Sequence, residues 1–226
     1  MAIVVLAFTL LFTIPASLWL SALPAGAKAA ATTATKPASP SRNFDKLYRD
    51  AELEMGRLNF EKARKLYQEI DKLSGTASAD KQGTGKKARI MLKAYLPLYP
   101  VTPACNDMYK QGDVLMRSQN PHDALAIFTD LANRYPKFEW AQTAMAALYM
   151  RMKDTESAAQ CARRALSINK NFLQAWMILI HDAMVHNDLD GEIDAAAQAL
   201  ELDPTSNEVR SLLYSLKAEK NKQLPD

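Results

Sequence analysis

From Asn43 onward, apolar residues recur every three or four positions with charged and polar residues between them, the spacing of one-sided helices rather than of strands. The pattern repeats. Ala165-Leu166 and Ala199-Leu200 lie 34 residues apart, Leu131 lies one period upstream of Ala165, and Pro136 lies two periods before Pro204. Polar residues keep the same frame: Asn120, Asp154 and Asp188 are again 34 apart, each just before an alanine-rich stretch. A side-chain oxygen at such a position accepts a hydrogen bond from the free N–H groups of a first helical turn. Asn120 is followed by Pro121, a favoured first helical residue. Asn59 takes the equivalent place upstream and aligns Ala63 with Ala124 and Ala158.

The last stretch predicts one more helix. Thr205 and Glu208 have capping-box spacing, Val209, Leu212, Leu213 and Leu216 make one apolar stripe, and Lys217, Lys220 and Lys222 suit a helix C-terminus. The period breaks between Leu73 and Pro103. Ser74 to Gly85 reads as a mobile loop. Lys86 to Leu98 then predicts a helix with Ala88, Leu92, Tyr95, Leu96 and Tyr99 inside, and Tyr99-Pro100 echoes Tyr135-Pro136 as a degenerate half repeat.

These residues resemble the tetratricopeptide repeat (TPR) family, a 34-residue helix–turn–helix with small residues where helices touch and a proline at the end. The matching small residues are Ala51, Gly112 and Ala146, then Ala63, Ala124 and Ala158, then Ala165 and Ala199. Tyr67, Phe128, Tyr149 and Trp176 are the larger packing residues, and Pro136 and Pro204 close their units. The sequence departs from the motif at Glu54, Glu192, Ala162, Ala196 and Lys170. The resemblance implies an all-α, antiparallel helix-pair solenoid over 43–226. Its units fall at about 43–75, 86–100 (degenerate), 105–138, 139–172 and 173–206, with a capping helix at 206–221. A single helix pair cannot bury its apolar stripes alone, so stability comes from stacking on its neighbours.

The N-terminal pattern is different. Met1 to Ala27 has no charged side chain and ends in Ala25-Gly26-Ala27, a small-residue cleavage pattern, so a signal peptide is expected. Two features favour a retained anchor instead: no basic residue precedes the run, and Ile3 to Leu23 is long enough to span a bilayer. As an anchor, the segment would have Lys28, Lys36 and Arg42 on its C-terminal side, which holds that side in the cytoplasm. An extracytoplasmic domain therefore fits cleavage better, and the expected location is exported or periplasmic, with anchoring by residues 3–23 as the alternative. Residues 28–42 contain only Ala, Thr, Ser, Pro, Lys and Arg and read as a flexible linker.

Composition changes little in this picture. Of 226 residues, 48% are hydrophobic and 23% charged, with 7 glycines, which suits a globular helical chain. The net charge of +3 gives no reason to expect a nucleic-acid partner. Two cysteines are too few for a disulfide framework; Cys105 falls in a first helix and Cys161 in the second helix of the next unit, so free thiols are expected.

No reaction chemistry stands out. His181 and His186 are five residues apart, which turns their rings away from each other on a helix, and His122 stands alone. Gly85-Lys86 is followed by Lys87, so the phosphate-loop pattern fails. No catalytic, metal or cofactor site is expected, and the chain reads as a binder of protein or peptide segments rather than an enzyme. In the TPR family such segments lie on the inner face of each unit's first helix. Carried over, that face is Tyr48, Glu52 and Met55; then Asn106, Tyr109, Asp113 and Met116; then Thr143, Ala147 and Met150; then Met177, His181 and Met184. Met116, Met150 and Met184 recur in register, and methionine suits a surface that adapts to apolar partners. The family's basic clamp for a C-terminal carboxylate is missing at Tyr48, Glu52, Tyr109 and Asp113, so acidic chaperone tails are not expected.

Overall fold

The computed structural model describes residues 40–74, 83–118 and 120–223. The expected signal or anchor at 1–27 and most of the 28–42 linker lie outside the described residues, as does most of the expected loop, at 75–82. The chain forms two compact units, one ending at Leu92 and one beginning at Lys93. The regular elements among the described residues are all helical, with no strand.

The first unit contains α1 (Pro40–Gly56), α2 (Phe60–Ser74) and α3 (Thr84–Ile90). Helix α1 begins at Pro40, inside the stretch expected to be linker, since proline is well suited to a first helical turn. It packs on α2, and α2 packs on α3. Ala51 of α1 and Ala63 of α2 are completely buried, which lets the two helices approach closely. Tyr67 packs edge-on against Tyr48, with ring centroids 5.7 Å apart. The turn between α1 and α2 holds Leu58 at φ 58°, and its N–H returns to the Met55 carbonyl at 2.8 Å.

Helix α3 continues as a π turn, Met91–Tyr95, and stops there. The helix expected from sequence extends further, to Leu98. Pro97 shortens it, because proline disfavours helical geometry at the residue before it. Leu96 is buried in the irregular, bent segment that follows, and Tyr99 is exposed, with the Lys137 ammonium 5.1 Å from its ring centroid.

The second unit keeps the predicted period. It contains α4 (Pro103–Arg117), α5 (Pro121–Arg134), α6 (Glu139–Arg151), α7 (Thr155–Ile168), α8 (Leu173–Val185), α9 (Leu189–Leu202) and α10 (Asn207–Gln223). Each helix packs on the next in chain order, so the unit is an antiparallel helix-pair solenoid closed by α10. The caps fall where the sequence placed them. Asn120 accepts from the Asp123 N–H, Asp154 from Ser157 at 3.0 Å, and Asp188 from Gly191 at 3.0 Å. Lys153 and Asn187, one period apart, both take positive φ (63° and 55°) and tighten the turn within each pair.

The last cap sits one residue later than the sequence suggested. Ser206, not Thr205, accepts from the Val209 N–H, because Thr205 gives its hydroxyl to Asp203 at 2.6 Å. Gly112 marks the tightest helix contact: a Cβ there would lie 2.7 Å from the Phe128 ring. Helix α6 is buried on almost every side, through Trp140, Ala141, Thr143, Ala144, Met145, Ala146 and Leu148. Such a helix needs apolar residues all round, which explains its alanine-rich sequence.

Candidate interaction surface

The candidate inner-face residues divide sharply by exposure. In the first unit Met55 is buried, whereas Tyr48 and Glu52 are half-buried. Burial raises the Glu52 carboxyl above its usual range, partly offset by Lys87. In the second unit Tyr109, Asp113, Met116, Thr143 and Met177 are buried. For these residues and Met55, the inner-face assignment puts interior side chains where surface was expected.

Tyr109 shows why. Its ring lies 5.3 Å from Phe128, 5.6 Å from Phe138 and 5.8 Å from Trp140, so it fills the junction of α4, α5 and α6. Burial holds its hydroxyl well above the ordinary tyrosine range. Thr143 turns its hydroxyl back to the Trp140 carbonyl at 3.2 Å. Asp113 pairs with Arg117 one turn later at 2.8 Å. Its other oxygen, Oδ1, has no hydrogen-bond partner among the described residues, and neither has Oδ1 of the half-buried Asn106 two turns before it.

Half-buried surface remains at Ala147 and Met150 on α6 and at His181 and Met184 on α8. These are the same two positions in successive units, 34 residues apart, and they form one stripe across two first helices. Burial lowers the His181 imidazole below its usual value, against the pull of Asp182. His181 therefore favours its neutral form, and the stripe is mainly apolar.

A second feature, a strap made by Ala94–Pro100, has no counterpart in the repeat pattern. The Tyr95 hydroxyl donates to Asp203 Oδ2 at 2.9 Å, and the Leu98 N–H donates to Glu139 Oε1 at 2.7 Å. Between these anchors Leu96 and Pro97 are fully buried. Glu139, also fully buried, accepts a second hydrogen bond from Asn169 Nδ2 at 2.7 Å. Asn169 and Asp203 occupy the same position one period apart, just after α7 and α9, so the strap runs along one set of inter-repeat corners. The two prolines of the Leu-Pro-Leu-Tyr-Pro run are the sequence's hint that the chain leaves the helix here.

Both cysteines are buried and free. Burial pushes the Cys105 thiol up to about 11, and it also raises Cys161. Neither has the thiolate character of a nucleophile. Among the described residues, no helix is long and apolar enough to cross a membrane, and no group of three His, Cys, Asp or Glu side chains could hold a metal ion.

No family model matches the chain, and no curated protein matches it. Solved structures similar to it are helical repeats. The first TPR of Spaghetti (RPAP3) bound to the HSP90 peptide SRMEEVD is 17% identical, over 54% of this chain and 97% of that one, with a TM-score of 0.49. The second TPR domain of human RPAP3, in complex with the HSP70 peptide SGPTIEEVD, is 14% identical over 49% and 92%, with a TM-score of 0.45. The MamA RS-1 ArsTM double mutant is 14% identical over 82% and 88%, with a TM-score of 0.46.

Proposed function

We propose that this chain is a protein-interaction module whose second unit binds an apolar protein or peptide segment along Ala147, Met150, His181 and Met184. The observation that supports this is the stripe itself. The other apolar positions of α6 and α8 are largely consumed by packing, whereas these four recur in register and stay partly exposed. Flexible thioether side chains on a stiff helical frame suit a partner that presents apolar side chains at intervals. In the same reading the chain works outside the cytoplasm, in envelope assembly or secretion. A retained segment 3–23 would make it a membrane-tethered scaffold instead.

Photocrosslinking residues placed singly at Met150 and Met184 of the full chain in its native host test the binding face. Capture of one shared partner from both positions, and none from the exposed Gln198 on α9, is the expected result. Equal capture from Gln198 would sink the assignment. N-terminal sequencing with cell fractionation tests location: a soluble species starting near Lys28 or Ala30 supports export, and an intact Met1 in the membrane fraction supports the tether.

A further inference from the structure

The second unit has a cleft between α7 and α9, floored by α8, with a volume of about 430 Å³. It arises from departures from the repeat. One period earlier, the positions of Ala159, Ala183, Gly191 and Ala195 carry Leu125, Tyr149, Ser157 and Cys161, so four small side chains open the cleft. Asp182, part of its lining, stands where the preceding unit places Leu148, a fully buried packing residue. A carboxylate at a packing position costs stability unless something compensates for it.

That compensation is incomplete within the chain. Arg163 Nη2 approaches Asp182 Oδ2 at 3.2 Å, but Arg163 is largely exposed. Asp182 itself is only 14% exposed, and its Oδ1 is buried without a hydrogen bond, 3.2 Å from His186 Nδ1. The lining adds Glu156, which accepts from Gln160, Asp188, which caps α9, and Asp194, so its carboxylates outnumber its one guanidinium and one imidazole. Trp176 forms a wall whose orientation is fixed by its Nε1–H bond to the Lys170 carbonyl at 3.0 Å.

We infer that this cleft receives an arginine side chain from a basic segment of a partner protein, stacked on Trp176 and paired with Asp182. A planar guanidinium meets both demands of the cleft: it stacks on an aromatic face and brings a positive charge to a carboxylate. Ala159, Leu179, Ala183 and Ala195 supply the apolar surface that an arginine stem covers. The cleft is separate from the Met150–Met184 stripe, and the inference stands or falls independently of it.

The test uses the full chain and three pentapeptides, Gly-Ser-X-Ser-Gly with blocked ends, where X is arginine, lysine or citrulline. Binding is followed by the NMR shift of the Trp176 indole N–H, assigned by its loss in Trp176→Phe. The arginine peptide should shift this signal saturably, lysine at least threefold more weakly, and citrulline not at all. Asp182→Asn should weaken arginine binding at least tenfold. Asp182→Leu restores the side chain that the preceding unit packs there; it should fold with an unchanged or raised Tm and lose binding. Equal shifts from citrulline, unchanged binding by Asp182→Asn, or no saturable shift with arginine would each overturn the inference.

Discussion

Gly112→Ala sets two measurable effects against each other. A helix-interior glycine costs about 1 kcal/mol relative to alanine, so on propensity alone the change stabilises α4. The added methyl, however, would lie 2.7 Å from both Cε1 and Cζ of Phe128 and 3.1 Å from Cδ1. Phe128 cannot retreat: it is fully buried, and Tyr109 backs it at 5.3 Å. Overpacking at a site with no give costs about 1–3 kcal/mol. Ring contact on this scale takes the upper part of that range, which leaves a net loss of about 1–2 kcal/mol. For a domain of this size that lowers Tm by about 2–8 °C. Thermal melts of the full chain followed by circular dichroism would read it. Phe128→Leu should cost less when combined with Gly112→Ala than in the parent, a coupling of about 1 kcal/mol. A raised Tm for Gly112→Ala, or strict additivity with Phe128→Leu, would refute the claim that ring contact dictates glycine here.

Glu139→Ala leaves the Leu98 N–H and the buried Asn169 Nδ2 without their acceptor and should cost about 1–3 kcal/mol, with faster hydrogen exchange at Leu98 as the direct readout. Asp188→Ala removes the α9 cap and should cost about 1 kcal/mol in urea unfolding. His181 has a folded pKa below its ordinary 6.5, so the unfolded chain takes up the proton first. The stability this contributes is complete above about pH 6.5 and is lost as pH falls below it; the Tm difference between pH 8 and pH 5 should shrink in His181→Gln. Cys105 and Cys161 should resist a bulky thiol reagent at about pH 8 in the native state and react on unfolding, since both are buried with raised pKa.

The helix pairs were legible because period and caps are local. Asp154 and Asp188 bond the third N–H downstream, and no distant residue is needed to place them. Ala63, Ala124, Ala158 and Ala165 could be read as contact residues because only small side chains survive where helix axes approach. Exposure on the first helices was not legible. Tyr109 is interior because of Phe138 and Trp140, whose distance from it follows from the fold rather than from the repeat frame. The strap was hidden for the same reason. Tyr95 and Asp203 are 108 residues apart, and a single tyrosine near a proline carries no signal of its partner. The cleft was not legible: the departures from the family pattern at Glu192, Ala162 and Ala196 lie outside its lining, and Asp182 carries no local mark beyond its place beside His181.

The Tyr95–Asp203 bond also changes how the second unit comes apart. A stack held only by contacts between adjacent helices melts from its free end, each unit leaving without disturbing those behind it. Here the corner after α9 is tied to a residue that precedes α4, so the last pair cannot peel away before the strap lets go. The tie converts a zipper into a closed ring of interactions and adds a contact of long sequence separation to a fold otherwise built from short ones. Such contacts form late, because the loop they close carries an entropy cost that grows with its length. The strap is therefore expected to set late in refolding.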